Sequence, residues 1–236
     1  MIKTVLFDLD GTLLPMDQDD FVQSYLGRMA KSMAIHGYDP QTLVKTVWKG
    51  TGAMVMNDGS STNETVFWKA FCSVFGQDAR KDEPLFDEFY RNDFQLVQHD
   101  CGFDERAAEA VREIRSLGFQ TVLATNPLFP AIATHSRVRW AGLDPDDFLL
   151  VTTYENSSYC KPNPDYYREI LAKLQLRPEE CLMVGNDVAE DMMTRELNMK
   201  VFLLTDCLIN KHGADISQYP HGSFPELLSY IRRECL

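Results

Sequence analysis

Two carboxylates two residues apart close an apolar run near the start of the chain. In "TVLFDLDGTLL", residues 4–14, Asp8 and Asp10 follow the hydrophobic stretch and Gly11 comes directly after them. A carboxylate beside a hydrophobic strand is costly unless something pairs with it. Side chains two apart in an extended segment point to the same side, so Asp8 and Asp10 are expected to face one pocket. Polar residues suited to handling an anion stand behind other apolar runs. They are Thr125 and Asn126 after "FQTVLA", Lys161 in the loop after "DFLLVTT", and Asn186 and Asp187 after "CLMVG", with Asp191 a helical spacing further on. Asp8, Asp10 and Asp187 brought together would repel and raise one another's pKa. A divalent cation relieves that repulsion, and an all-oxygen donor set suits Mg²⁺. Lys161 adds fixed positive charge and Thr125 a hydroxyl donor. Gly11 lets the backbone bend so that nearby amides can face an anion. Such a set suits phosphate oxygens, and with an aspartate at its centre the natural chemistry is phosphoryl transfer through an aspartyl-phosphate.

These residues need elements that bring them together. Short apolar, β-branched runs at 2–7, 119–125, 147–153, 181–186 and 200–205 read as strands. Amphipathic helical patterns lie between them. In 104–118, Ala107, Ala110, Val111, Ile114 and Leu117 recur at spacings of three and four before a stop at Gly118. Strands alternating with such helices indicate a parallel sheet covered on both faces. Ligands bind beyond the carboxyl ends of such sheets, where all the candidate residues fall. Residues 16–99 carry no strand pattern. Aromatic and methionine stripes there, such as Phe21, Tyr25, Met29 and Met33, indicate about four helices inserted after the first strand, with the stripes as their packing core. The segment "VWKGTGAMVMND", residues 47–58, reads as a connection between two of these helices, and Trp48, Lys49 and Asn57 are candidates to touch a substrate.

Composition narrows the function further. At 236 residues the chain can bury a sizeable core. A formal net charge of −12 argues against a nucleic-acid or anionic-membrane surface, since both need basic patches. The six cysteines form no C-x-x-C pair and the five histidines show no ligand spacing, so a zinc or redox motif is not expected. The start of the chain has no signal-peptide pattern, and no stretch approaches the roughly 18 apolar residues of a membrane span. The expectation is a cytoplasmic protein with reduced thiols. The absence of a sustained heptad pattern favours a monomer.

"DLDGT" at 8–12, "TN" at 125–126, "KPNP" at 161–164 and "GNDVAED" at 185–191 resemble the ordered motifs of the haloacid dehalogenase superfamily of phosphohydrolases. The resemblance covers essentially the whole chain. It implies an α/β fold, a Rossmann-like parallel sheet core formed by residues 1–15 and 100–236 with an inserted all-helical cap of four helices over 16–99. By that resemblance Asp8 is the nucleophile and binds Mg²⁺. Asp10 is general acid and then base, with its main-chain carbonyl on the metal. Thr125 holds a phosphoryl oxygen beside Asn126, Lys161 neutralises the nucleophile and the transferring group, and Gly11 belongs to the phosphate loop. Asp187 completes the metal site. The fourth motif departs from the family's commonest form, in which the aspartate directly follows the glycine; here Asn186 stands there and Asp187 comes next. Asp191 is then expected to orient Lys161 or a metal-bound water. The implied function is a Mg²⁺-dependent phosphatase for a small phosphorylated metabolite. A phosphomutase similar to β-phosphoglucomutase shares the motifs, and a non-catalytic binding or regulatory member of the fold is the alternative from another class. Dehalogenases need neither metal nor the second aspartate, and phosphonate-cleaving relatives lack that aspartate, so Asp10 weighs against both.

Overall fold

The computed structural model describes residues 1–235. Strands β1 (Thr4–Phe7), β2 (Gln120–Leu123), β3 (Cys181–Gly185), β4 (Lys200–Leu204) and β5 (His221–Gly222) form one parallel sheet in the order β2-β1-β3-β4-β5. Successive side chains on a strand face opposite ways. Val5, Phe7, Leu182, Val184 and Phe202 therefore enter one core, with α5 (Glu105–Ser116) and α8 (Phe224–Glu234). Leu6, Val122, Met183 and Val201 enter the other, against Tyr166, Tyr167 and Ile170 of α7 (Pro164–Leu174). The sheet is thus apolar on both faces, as a parallel sheet flanked by helices requires.

Residues between β1 and α5 are helical throughout their regular structure. Helices α1 (Gln18–Ala34), α2 (Pro40–Val55), α3 (Asn63–Phe75) and α4 (Glu83–Arg91) are supplemented by 3-10 turns at Gln77–Asp82 and Asp93–Asp100. Asp17, Asp39 and Thr62 accept hydrogen bonds from first-turn amides of α1, α2 and α3, which sets where those helices begin. Their shared core is aromatic. The fully buried Phe71 ring lies 5.0–6.1 Å, centroid to centroid, from those of Tyr38, Phe67, Trp68, Phe75 and Phe86.

Two expectations are corrected. Residues 147–153 do not form a strand; Val151 makes only an isolated bridge with Leu123. The 3-10 turn Pro145–Asp147 delays the approach, and the bond from the Thr153 amide to Asn156 Oδ1 turns the chain away at once. Residues 47–58 are not a connection, because α2 absorbs them as far as Val55. Gly50 is a packing residue inside that helix: a Cβ there would lie 2.5 Å from Phe67 Cδ2. Lys49 donates to Ser73 Oγ and the buried Asn57 to Ser61 O and Asn63 Oδ1, so both are engaged within the helical module.

Removing the Phe71 ring leaves a void amid five other rings. Phe71→Ala is expected to lower the unfolding free energy by about 3–5 kcal/mol, measured by urea denaturation.

Candidate active site

Register places the site. Phe7 pairs with Leu123 on one side and with Val184 on the other. The next residues of all three strands therefore emerge on one rim, at the point where the strand order reverses. The Asp8 amide still donates to Val184 O (2.9 Å), and that of Ala124 to Phe7 O (2.7 Å), so the strand ends remain pinned where the polar residues begin. A cavity of about 230 Å³ opens there. Of the residues expected from the sequence to form the site, all line it except Gly11 and the candidates Trp48, Lys49 and Asn57 from the helical insertion.

Asp8 is held on both oxygens. Lys161 Nζ donates to Oδ1 at 2.8 Å, and the Thr12 hydroxyl stands 3.0 Å from Oδ2. The same ammonium lies 2.7 Å from Asp191 Oδ1. Lys161 and Asp191 are almost fully buried. Burial alone would lower the lysine's pKa, but Asp191 and Asp8 hold it well above the ordinary value, so the side chain stays an ammonium. Burial raises the Asp191 carboxyl, against the pull of Lys161. Asp191 Oδ2 accepts the Asp187 amide at 3.0 Å, which ties the lysine to the loop after β3.

Asp10 sits beside this group. Burial raises its carboxyl above the ordinary range, the Arg137 guanidinium opposes that, and Asp8 adds to it. Asp10 Oδ2 accepts from Arg137 Nη1, while Asp10 Oδ1 is buried with no hydrogen-bond partner. Thr125 offers the complementary group. Its carbonyl is fixed by the Tyr166 hydroxyl (2.8 Å), whereas its own buried hydroxyl has no partner. An unsatisfied donor on a cavity wall is where a ligand oxygen would be recognised. Asn126 Oδ1 accepts the Lys161 amide (3.3 Å) and its Nδ2 donates to Glu190 Oε2 (3.4 Å), so it braces two loops. Asn186 donates to Cys207 O at 2.6 Å and stands 3.0 Å from the Thr12 hydroxyl.

Gly11 shapes the turn that follows Asp8. Its N–H donates to Leu14 O at 2.8 Å. Its φ of +83° favours glycine, and a Cβ would lie 2.3 Å from Asn186 Nδ2, so the residue admits the asparagine beneath the turn. Gly185 does the same for Asp191, whose Oδ2 would stand 2.1 Å from a Cβ there.

The donors available to a cation are all oxygen. Asp8 and Asp187 face one cavity, although Asp187 Oδ1 also accepts the amides of Ala189 and Glu190. Among the described residues no three His, Cys, Asp or Glu side chains gather as metal ligands do. Two carboxylates on one cavity are oxygen donors of the kind a hard divalent cation takes.

Sequence reasoning missed Arg137. It lies in α6 (Ala131–Trp140), fully buried, with its guanidinium carbon 4.3 Å from the centroid of Phe129. The available signal was an arginine four residues after Ala133 and three before Trp140, a charge on a helix face that otherwise reads as core.

A sheet of this order, with an inserted helical cap and an aspartate-centred cavity at its strand ends, defines a class of α/β hydrolytic enzyme. The family model described as haloacid dehalogenase-like hydrolase matches residues 2–195, and the chain belongs to that family. It is 24% identical over 235 residues to a phosphoglycolate phosphatase of Colwellia psychrerythraea, covering 98% of this chain and 97% of the relative. It is 28% identical over 188 residues to the pyrophosphatase PpaX of Anoxybacillus flavithermus, covering 79% and 75%. A solved 2-haloacid dehalogenase of Pseudomonas syringae pv. Tomato shares the fold with a TM-score of 0.61 at 19% identity over 99% of both chains. A phosphatase of the same family from Thermococcus onnurineus superposes with a TM-score of 0.57 at 18% identity over 98% of both.

Lys161→Met leaves Asp8 and Asp191 buried without their counter-charge. The expected loss is about 3–5 kcal/mol of unfolding free energy, read by chemical denaturation. Gly185→Ala, which drives a methyl group into the Asp191 carboxylate, is expected to destabilise by about 1–3 kcal/mol in the same assay.

Proposed function

We propose that the protein is a phosphatase that hydrolyses a small phosphorylated metabolite through an aspartyl-phosphate on Asp8. The observation that carries this reading is the Asp8 carboxylate, paired with a buried ammonium and facing a cavity whose wall holds the unpartnered Thr125 hydroxyl. The phosphatase names of the relatives from Colwellia and Anoxybacillus support it.

In this reading Lys161 and the Thr125 hydroxyl hold the phosphoryl oxygens while a carboxylate oxygen of Asp8 attacks phosphorus. The bond to the ester oxygen breaks, and Asp10 gives that oxygen its proton. Burial raises the Asp10 carboxyl, which suits an acid that must carry a proton to the reaction. Arg137 orients the carboxyl through Oδ2, and Oδ1 has no hydrogen-bond partner that would compete for the proton. Asp10 then takes a proton from water as that water attacks the phosphorus of the intermediate, which releases phosphate and restores Asp8. Asp191 keeps Lys161 in place. A Mg²⁺ ion held by Asp8, Asp187 and the Asp10 carbonyl would spread the negative charge of the phosphoryl group. Residues 16–99 act as the cap that shields the cavity from water. Six free cysteines suit a reducing cytoplasm, and among the described residues no helix is long and apolar enough to cross a membrane.

A panel of phosphorylated metabolites assayed with Mg²⁺ is expected to release phosphate without any added bisphosphate, which separates a phosphatase from a mutase. EDTA is expected to stop the reaction. Asp8→Asn is expected to abolish turnover while circular dichroism shows a folded protein. Unchanged turnover in that variant would refute the nucleophile.

A further inference from the structure

A second cavity, of about 120 Å³, lies between the helical cap and Leu128, Phe129, Pro130 and Tyr154 of the segments that follow β2. Its walls come from all four cap helices, and most are aromatic or aliphatic, among them Tyr25, Met29, Trp48, Phe67, Trp68 and Phe86. It shares Val22, Leu128 and Phe129 with the cavity that holds Asp8. Phe129 is held at this junction by the Arg137 guanidinium stacked on its ring, the same guanidinium that binds Asp10. The polar chamber and the apolar chamber therefore adjoin at these three residues.

The groups around the second cavity decide what it would accept. Its two carboxylates already have counter-ions: Glu83 pairs with Arg80 at 2.7 Å and Asp87 with Arg91 at 3.3 Å. Arg80 also covers the Trp68 ring at 4.6 Å. No free negative charge is left to draw a cationic group in. The hydroxyls of Tyr25 and Tyr90 satisfy each other at 2.9 Å. A charged or strongly polar group would lose its hydration in this chamber without compensation. By volume, an apolar cavity of about 150 Å³ accepts a benzene ring.

We infer that the substrate is a phosphate monoester of an apolar alcohol, whose uncharged aromatic ring or short hydrocarbon chain enters the cap cavity while the phosphate lies against Asp8. This rests on the phosphatase reading above and narrows its substrate. It sets the chain apart from relatives named for phosphoglycolate and pyrophosphate, whose substrates carry charge at the end away from the reacting phosphorus.

The test compares kcat/KM for benzyl phosphate and hexyl phosphate with that for ethyl phosphate, all primary alkyl esters of similar leaving group, and with phosphoglycolate. The longer apolar esters are expected to exceed ethyl phosphate by about tenfold or more, since each methylene in an apolar pocket discriminates on that scale. Thr51→Phe places a ring in the cavity from α2. It is expected to bring the benzyl-to-ethyl ratio down towards one. Should that variant lose all turnover, the wild-type ratio decides alone. Asp8-dependent hydrolysis with ethyl phosphate or phosphoglycolate equal to or better than benzyl and hexyl phosphate would overturn this inference and leave the phosphatase reading standing. No phosphate release from any ester would overturn both.

Discussion

The candidate site depends on one buried ammonium. Lys161 lies between Asp8 and Asp191 with contacts of 2.8 and 2.7 Å, and all three are removed from bulk water. A carboxylate buried there without a partner would be costly. With the lysine present, the Asp8 carboxylate has a partner 2.8 Å away at the end of an apolar strand, and Asp191 is anchored beneath the loop that presents Asp187. Such pairs contribute little net stability. What this one supplies is a fixed arrangement: a carboxylate oriented toward a cavity, beside a positive charge that does not need to be recruited from solvent.

Close approach of main chain and side chain makes this arrangement possible. Asp191 reaches Lys161 because Gly185 has no side chain in its path, and Asn186 slips under the Asp8 turn because Gly11 has none either. The parallel register supplies the rest. With β1 flanked by β2 and β3, consecutive strand ends deliver a carboxylate, a hydroxyl and a second carboxylate to one rim. The sheet orders these groups without any of them belonging to a regular element, which leaves their side chains free for chemistry.

The cap adds a second physical environment. The strand-end cavity is polar and holds charges of both signs, while the chamber among the cap helices is apolar with its acidic groups already paired. Phe129 stands where the two meet, and Arg137, which holds Asp10, also stacks on its ring. What packs against Phe129 is thereby linked through that ring to the guanidinium that fixes Asp10.

Strand ends and site chemistry were legible in the sequence because both are local. An apolar run of four or five residues followed at once by Asp8, Thr125 or Asn186 marks where a strand stops and a polar rim begins. Helical periodicity in 16–99 likewise marked an all-helical insertion. The segment 147–153 misled because its apolar, β-branched composition matches a strand, while Asn156 captures the Thr153 amide and ends the pairing after a single bridge. The glycines at 50 and 52 read as a loop, yet Gly50 sits in a helix because Phe67 requires the space. Residue types and order along the chain determined the strand-end chemistry. Only the tertiary structure decided that Arg137 meets Asp10 across 127 positions, and that an apolar chamber opens beside the strand-end cavity. Both depend on how helices dock against each other, and docking is set by side-chain packing between distant segments, which leaves no periodic mark in either of them.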